Sequence, residues 1–169
     1  NSFLTLYFEF NGMKIFYNSQ IFRMQKYGGI SRYIVNLAQK VATEEQVIIS
    51  GGLYVNKYLA EVSHDLVKGI QLSWCPPKTG RLLNLVGKAY DQAIIGKFSP
   101  DIIHETYYSH RPAKSKSIPL IVTVHDMIHE LFENSFSHKD ETSRHKLIAV
   151  RRAQHVICIS ENTRRDLLD

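Results

Sequence analysis

Short apolar runs alternate with amphipathic stretches along this 169-residue chain. A run of β-forming residues bounded by turn residues predicts a strand, and apolar residues spaced three and four apart predict a helix. The predicted strands are residues 13–18, 46–50, 70–74, 100–104, 119–124 and 155–159. The predicted helices are residues 30–41, 53–62, 81–98 and 138–153, and a last one that opens with Ser160 as its N-cap. Strands that alternate with helices imply βαβ units, so the expected fold class is α/β, with a Rossmann-like, mostly parallel sheet and helices on both faces.

The same pattern indicates how several segments are used. The helix at 81–98 has apolar residues on one side, as in a helix that packs one stripe on a core. Those residues are Leu82, Leu85, Val86, Ala89, Ala93 and Ile94. Residues 119–124 are nearly all apolar, which is typical of a parallel strand buried on both faces. Residues 19–26 are predicted to be a polar connection, and Gly51 and Gly52 are expected to end the second strand.

The two ends of the chain differ from its middle. Residues 13–15 (Met-Lys-Ile) resemble a native start, so residues 1–12 are expected to be a tag or an N-terminal extension. Residues 13–169 are then expected to form one domain. The helical pattern is still running at Asp169. This predicts that the chain is part of a longer protein.

Composition and charge limit the classes of function. The chain is 44% hydrophobic, which is enough for a core, and its formal net charge is +5 with a pI near 9.2. Mild basicity favours phosphate-bearing partners, although many soluble proteins carry such a charge for solubility alone. The two cysteines, Cys75 and Cys158, form no CxxC motif, which argues against a disulfide framework or a zinc motif and suits a reducing cytoplasm. No apolar run reaches the roughly 20 residues of a membrane span.

A glycine pair, Gly28 and Gly29, lies between the first strand and the helix at 30–41. The free N–H groups and positive dipole end of a helix N-terminus suit an anion, and glycine lets a ligand approach the backbone. The segment has neither a GxGxxG motif nor a P-loop motif. Arg32, in the first turn, is a candidate phosphate contact or an ordinary surface ion pair. Taken alone, the glycine pair is also compatible with a tight turn that binds nothing.

Four segments together resemble a known family. They are residues 27–33 (YGGISRY), 100–104 (PDIIH), 119–126 (PLIVTVHD) and 152–167 (RAQHVICISENTRRDL). Their order and spacing are similar to those in the N-terminal domain of family-4 glycosyltransferases, which have the two-domain GT-B architecture. The resemblance extends over residues 13–169.

The resemblance implies a retaining glycosyltransferase that needs neither a cofactor nor a divalent metal. The donor would be a nucleotide-sugar held mainly by a C-terminal domain that this chain lacks, so the isolated chain is expected to be inactive alone. The acceptor would be a glycan or a lipid-linked molecule that is held mainly by this domain. The reaction would belong to bacterial polysaccharide or glycoconjugate synthesis. Nucleic acid is not an expected partner. The expected location is the cytoplasm, with peripheral contact at the inner face of the membrane.

The resemblance also assigns roles to individual residues. Gly28 and Gly29 match the glycine loop that approaches the donor diphosphate, with Arg32 beside it. His125 matches a histidine that faces the cleft, and the alternative for it is a histidine packed in the core. Asp126 would orient His125 or an acceptor hydroxyl, or else it caps the segment that begins at Met127.

Other candidates follow the strand at 100–104. His104, Glu105, Tyr107 and Tyr108 are expected to line the acceptor side, and ordinary loop packing is the alternative. A second set of residues forms a candidate basic patch for membrane contact, with a solvated surface as its alternative. This set is Arg151, Arg152, Arg164 and Arg165.

The residues support the rival functions to different degrees. His125 and His129 are spaced as in a zinc-binding helix, but the motif has Asp126 where HExxH has glutamate and it starts at a strand end. No two acids pair as a glycoside hydrolase requires. A non-catalytic nucleotide- or sugar-binding module, or another GT-B enzyme such as a sugar epimerase, would share the fold.

Overall fold

The computed structural model describes residues 12–74, 79–110, 117–138 and 140–169. Within these ranges six strands form one sheet in which every pairing is parallel. The strands are β1 (Lys14–Tyr17), β2 (Gln46–Tyr54), β3 (Val67–Gln71), β4 (Ile102–Glu105), β5 (Leu120–Val124) and β6 (His155–Cys158). The predicted α/β fold class is therefore confirmed.

The helices lie between the strands. They are α1 (Gln20–Met24), α2 (Gly29–Val41), α3 (Lys57–Ala60), α4 (Gly80–Phe98), α5 (Ile128–Leu131), α6 (Thr142–Arg152) and α7 (Glu161–Leu168), with a 3-10 turn at Glu133–Ser135. As predicted, Ser160 caps α7, because its side chain accepts the Thr163 N–H at 3.1 Å. Within the described ranges no helix is both long and apolar enough to cross a membrane.

The strand order is β3-β2-β1-β4-β5-β6. The chain adds strands outward from β1 to β3, then crosses back through α4 and adds β4 on the other side of β1. The direction therefore reverses between β1 and β4. In open parallel sheets, ligands bind at the carboxyl ends of the strands beside such a reversal.

Apolar side chains fill both faces of the sheet. Neighbouring residues of a strand point to opposite faces, and in β1 Tyr17 joins one core cluster while Phe16 joins another. The first cluster packs under α2 and α3 and includes Ile34, Ile49 and Leu59. The second packs under α4, and a third packs under α6. Three separate clusters fit a sheet that is covered on both sides.

The second and third strands differ from the prediction. β2 continues through Gly51 and Gly52 to Tyr54 instead of ending at the glycines. Gly52 has a φ of +59°, in the left-handed region that glycine tolerates, and the pairing of β2 with β3 shifts register there. The glycines thus bend the strand without ending it. β3 begins three residues before the predicted start, and α3 is shorter than predicted.

The segment predicted to be a polar connection contains a helix. α1 occupies residues 20–24, and its Ile21 and Phe22 are fully buried in the first core cluster. Two apolar residues in a five-residue helix are too few to produce a periodic pattern, so the sequence gives no helical signal there.

The orientation of α4 is opposite to the one expected from its apolar stripe. Leu82, Leu85 and Val86 are 61%, 68% and 38% exposed, whereas the buried residues of the helix are Gly87, Asp91 and Ile95. Of the predicted stripe, Ile94 packs against the second core cluster. The helix therefore turns a partly polar side to the protein and an apolar side to solvent.

Contacts at Gly87 and Asp91 explain this orientation. A Cβ added to Gly87 would overlap the guanidinium of Arg23, and Gly87 also lies close to Gly52 of β2. The carboxylate of Asp91 accepts the hydroxyl and the N–H of Ser19, at 2.8 and 3.3 Å. Burial raises the pKa of Asp91, and these hydrogen bonds and the charge of Arg23 oppose that shift. Close backbone packing and a buried polar cluster thus decide which side of α4 faces inward.

We expect Gly87→Ala to lower the free energy of unfolding by about 1–3 kcal/mol, because the new methyl group must displace Arg23 from Ser19 and Asp91. Gly96→Ala is the matched control, since the position is exposed in the same helix and an added Cβ would meet no atom within 4 Å. The control should stabilise the protein by about 0.5–1 kcal/mol. Denaturant unfolding of both variants checks the result, and a Gly87→Ala variant as stable as the control would contradict the close packing.

Candidate functional site at the carboxyl edge of the sheet

The candidate site lies where β1, β4 and β5 end, beside the reversal of strand order. The connections that leave this edge contain the glycine pair after β1, residues 106–109 after β4, and His125 and Asp126 after β5. The geometry at each connection determines which of the predicted residues can meet a ligand.

The glycine pair forms the start of α2. Gly28 is its N-cap in extended conformation, and its carbonyl accepts the Arg32 N–H at 3.1 Å. The Ser31 N–H is directed to the side chain of Gln25, while the N–H groups of Gly29 and Ile30 have no acceptor among the described residues. A Cβ on Gly29 would meet nothing within 4 Å. Two free donors at an open, positive helix end are suited to an anion.

Gly28 has a different reason to be glycine. A Cβ at this position would overlap the side-chain amide of Gln25. That amide accepts the Ser31 N–H, and the Ser31 hydroxyl donates to the Gly28 carbonyl at 3.0 Å. Gly28 therefore allows the cap of α2 to close, and Gly29 leaves space in front of the free donors.

His125 lies at the end of β5 and is half-buried. Its ring meets the ring of Tyr33 edge to face, with centroids 5.3 Å apart, and its backbone N–H donates to the Tyr108 hydroxyl at 3.2 Å. Tyr33 is in α2, one turn after Gly29. Burial lowers the pKa of His125, and Lys146 lowers it further against the opposing charge of Asp126. The imidazole is therefore neutral at neutral pH, and it lies next to the helix that begins at the glycine pair.

His104 is inside the sheet. It is 3% exposed, its Nε2 lies 2.9 Å from the hydroxyl of Thr123, and its ring packs on Tyr17. Burial lowers the pKa of His104 to about 4, and the neighbouring His125 contributes to the shift. His104 is therefore a buried, neutral histidine that packs between β1 and β5, and it does not line an open surface.

Glu105 is also buried and forms an ion pair that the sequence did not predict. Its carboxylate accepts from the Arg152 guanidinium, which also donates to the carbonyl of Ser109. Burial raises the pKa of Glu105, and the charge of Arg152 opposes this shift. The pair ties the end of β4 to the end of α6. Arg152 is thus largely buried and committed to this pair, and it is not available to a surface patch.

The rest of the predicted basic patch is largely paired. Arg164 lies 2.7 Å from Glu161, and Arg165 donates to the side chain of Asn162. Arg151 is exposed on α6. The structure therefore gives the solvated-surface alternative more support than a concentrated basic patch.

The two tyrosines after β4 pack on each other, with ring centroids 4.8 Å apart. Tyr108 is buried, and burial raises its pKa. Tyr107 is partly buried and contacts two core clusters. Both tyrosines also line an open pocket of about 440 Å³. This pocket, which we call the edge pocket, is lined by Gln20, Arg23, Met24, Asn84, Lys88, Tyr107, Tyr108, Ser109, His110, Asp140, Glu141, Thr142 and His145.

Asp126 has a structural contact that matches its predicted alternative. Its carboxylate accepts the Ile128 N–H at 3.2 Å and so caps the turn into α5. Lys146 of α6, which the sequence did not indicate, donates to the Asp126 carbonyl at 2.8 Å and to Glu130 at 2.6 Å. Lys146 is 2% exposed. It fixes the connection that follows His125.

The Arg32 side chain lines a surface hollow that none of the other candidate residues lines. It is exposed and lines a hollow between α2 and α3 together with Tyr58 and Glu61. No residue that follows β4 or β5 lines that hollow. Arg32 therefore lines a different part of the surface from the one where α2 meets His125.

The described part of the chain has no group of three or more histidine, cysteine or acidic side chains arranged to hold a metal ion. His129 instead lies 3.5 Å from Asp140 and stacks on Phe136. Cys75 lies outside the described residues, and Cys158 is a free, half-buried thiol that packs beside the third core cluster.

One family of known proteins matches this chain. The model of the family described as Glycosyltransferase Family 4 matches residues 27–169, which is most of the chain. The matched range starts one residue before the glycine pair and includes His125 and most of the residues that line the edge pocket, but not Gln20, Arg23 and Met24. A search of curated proteins gave no match.

Proposed function

We propose, since the chain belongs to glycosyltransferase family 4, that it is the acceptor-side domain of a retaining glycosyltransferase. The donor would be a nucleotide-sugar, and the acceptor a glycan or a lipid-linked molecule in bacterial polysaccharide or glycoconjugate synthesis. The proposal includes a separate donor-binding domain, so we expect the chain to transfer little sugar alone. A cytoplasmic location is part of the proposal, and the free thiol of Cys158 is compatible with it.

The observation that carries this proposal is the contact between Tyr33 and His125. It joins two features that are distant in sequence, the open N-terminus of α2 and the end of β5. A ligand that lies against the free N–H groups of Gly29 and Ile30 would therefore be near a neutral imidazole. Such a combination suits a sugar diphosphate, which has anionic oxygens at one end and hydroxyls at the other.

Each group would act in a simple way. The Gly29 and Ile30 N–H groups and the dipole of α2 would stabilise the negative charge that grows on the departing diphosphate. His125, neutral because of burial, would hydrogen-bond a hydroxyl of the transferred sugar or the acceptor. The turn capped by Asp126 and held by Lys146 would keep His125 in place. No metal ion is needed for these steps, and we propose that none takes part.

The backbone donor at Gly29 provides a direct test. Gly29→Pro removes one free N–H, and proline fits the first position of a helix after an extended residue such as Gly28. We expect nucleoside diphosphate binding to weaken about 10- to 150-fold, because a charge-assisted hydrogen bond contributes roughly 1.5–3 kcal/mol. Titration of UDP and GDP by calorimetry or by amide chemical shifts measures the change.

Gly29→Ala is the matched control because it keeps the N–H and its methyl group meets no atom within 4 Å. This variant should bind within about twofold of the wild type if the methyl group leaves the approach open. Equal affinity of the proline and alanine variants, with shifts in other parts of the chain, would contradict binding at the start of α2. Failure of both UDP and GDP to perturb Gly29 or Ile30 would contradict it as well.

A further inference from the structure

The hollow between α2 and α3 combines polar side chains with an apolar floor. We call it the α2–α3 hollow, and its volume is about 360 Å³. It is lined by Arg32, Val35, Asn36, Gln39, Tyr58, Glu61 and Val62. The two valines are buried, Tyr58 is half-buried, and the other polar residues are exposed. A concave surface of this size with a few convergent polar groups is typical of a small-molecule site.

The polar side chains of the hollow have complementary chemistry. Arg32 offers only hydrogen-bond donors, and the ionised Glu61 offers only acceptors. Asn36 and Gln39 offer both through their amides. Among the described residues, none of these four side chains has a hydrogen bond or an ion pair with another protein group. Together they can therefore pair with hydroxyl groups, which both donate and accept.

The charges of the hollow favour a neutral ligand. One guanidinium and one carboxylate line it, and they offset each other. An anionic ligand would meet the carboxylate of Glu61, and a cationic ligand would meet the guanidinium of Arg32. A neutral molecule with several hydroxyl groups fits this lining best.

Two tyrosines lie between the hollow and the start of α2. Tyr58 lines the hollow, and its ring meets the ring of Tyr27 edge to face, with centroids 5.8 Å apart. Tyr27 is 62% exposed and immediately precedes the glycine pair. A tyrosine offers a flat apolar ring and a polar hydroxyl, which suits contact with a sugar ring. The tyrosines therefore extend the hollow toward the glycine pair with surfaces of the same preference.

Hydrogen bonds hold the walls of the hollow in place. Asn56 caps α3 by accepting the Leu59 N–H at 2.9 Å, and its amide donates to the carbonyl of Gln25 at 2.8 Å. The N–H of Lys57 donates to the carbonyl of Lys26 at 3.0 Å. These bonds join α3 to the segment that leads into the glycine pair. A site with fixed walls loses little freedom when it binds a ligand, which favours binding.

We propose that the α2–α3 hollow binds a neutral sugar unit of a glycan. The sugar ring packs on the apolar floor, and its hydroxyls exchange hydrogen bonds with the amides and the charged groups. From Arg32 to Gln39 the hollow follows α2 for about 10 Å, at ~1.5 Å per residue, which is enough for a hexose ring. The next unit of the glycan lies on Tyr58 and Tyr27, toward the glycine pair. The identity of this glycan as the acceptor rests on the proposed function, whereas sugar binding in the hollow does not.

Titration of the isotope-labelled chain with simple sugars, followed by amide chemical shifts, tests the proposal. The neutral probes are the methyl glycosides of glucose, galactose, mannose and N-acetylglucosamine. We expect at least one of them to shift the amides of Asn36, Gln39 and Glu61 while the amides of α7 stay unchanged. Glucuronic acid and glucosamine should bind more weakly than the best neutral probe. Binding of either charged sugar as tightly as that probe would overturn the neutral ligand class, and no shift in the hollow with any neutral probe would overturn the site.

The double variant Asn36→Ala/Gln39→Ala tests the lining directly. Both positions are exposed on a helix, where alanine is well tolerated, so the variant should fold. It should bind the best neutral probe about tenfold more weakly, because two hydrogen bonds to the sugar are lost. Lys40→Ala is the matched control, since Lys40 is exposed on the same helix and does not line the hollow. Undiminished binding by the double variant would overturn the proposal, as would equal losses in the double variant and the control.

Transfer kinetics separate this proposal from the proposed function. In the longest natural polypeptide that contains this chain, Asn36→Ala/Gln39→Ala should raise KM for an oligosaccharide acceptor about tenfold and leave kcat nearly unchanged. KM for a single-sugar acceptor should not change, because that acceptor does not reach the hollow. Sugar binding in the hollow without any transfer would support the glycan site and contradict the proposed function. Transfer by a protein whose hollow binds no sugar would contradict the glycan site alone.

Discussion

Replacing Arg152 with methionine should lower the free energy of unfolding by about 3–5 kcal/mol, because it leaves the buried Glu105 carboxylate without its partner. Glu105 is 2% exposed and Arg152 is 17% exposed, so solvent cannot replace the lost charge. The substitution also removes a donor from the carbonyl of Ser109. Chemical denaturation followed by circular dichroism measures the loss.

The effect of Arg152→Met should depend on pH. Burial raises the pKa of Glu105 in the folded protein above its ordinary value, and Arg152 opposes that shift. Without Arg152 the folded-state pKa rises further, so the folded variant keeps its proton at a pH where the unfolded chain has lost it. Stability from the protonated form is fully present below the unfolded pKa and is lost as pH rises through the folded pKa. The difference between variant and wild type should therefore be smaller at pH 5 than at pH 8.

Two further variants test the cause. Arg164→Met breaks an exposed pair with Glu161, and it should cost less than about 1 kcal/mol. Glu105→Gln/Arg152→Met removes both charges and should recover roughly half of the loss of the single variant. If Arg152→Met cost no more than Arg164→Met, the buried pair would contribute nothing to stability.

Local pattern was enough to predict most of the sheet. Five of the six strands and the helices at α2, α4 and α7 begin within about two residues of their predicted positions, because each is a separate apolar or amphipathic run. The glycine pair was located correctly at the start of α2 for the same reason. β2 was predicted too short, because a pair of glycines is a common turn signal, whereas here it bends the strand and β3 continues the pairing.

Tertiary contacts decided the features that the sequence did not predict. The amphipathic pattern of α4 predicts a buried stripe. The contacts of Gly87 and Asp91 instead pack the opposite side of the helix against α1 and β2. A stripe shows that a helix has two sides, and the packing partners determine which one is buried. The same limit applies to Arg152 and Lys146, whose carboxylate and carbonyl partners lie at least 16 positions away in the sequence.

The sequence predicts which residues lie at the carboxyl edge of the sheet, but it does not predict which of them are buried. Residues that follow parallel strands share one edge, so topology alone brings the start of α2 near His125. Burial is not visible at that level. His104 and Glu105 were expected to line the acceptor side because they follow a strand of the sheet, yet β4 extends through Glu105 and buries both.

His125→Ala should reduce sugar transfer by about 10²–10³-fold while changing stability little. A hydrogen bond made to the reacting groups in a water-poor cleft contributes on this scale, whereas the contact with Tyr33 is an aromatic pair of about 0.5–1.5 kcal/mol. The assay is transfer of labelled sugar from UDP- or GDP-sugars by the longest natural polypeptide that contains this chain. The second readout is the melting temperature.

The variant His125→Gln sharpens this prediction, because the amide keeps a hydrogen-bond donor and an acceptor and should restore part of the activity. Thr123→Val is the comparison for a purely structural effect, since Thr123 is 3% exposed and its hydroxyl is the buried partner of His104. We expect it to lower the melting temperature and to leave the transfer rate of the folded enzyme nearly unchanged. Full activity of His125→Ala together with a large loss of stability would instead identify His125 as a packing residue, and the neutral imidazole at the end of β5 would then have no part in transfer.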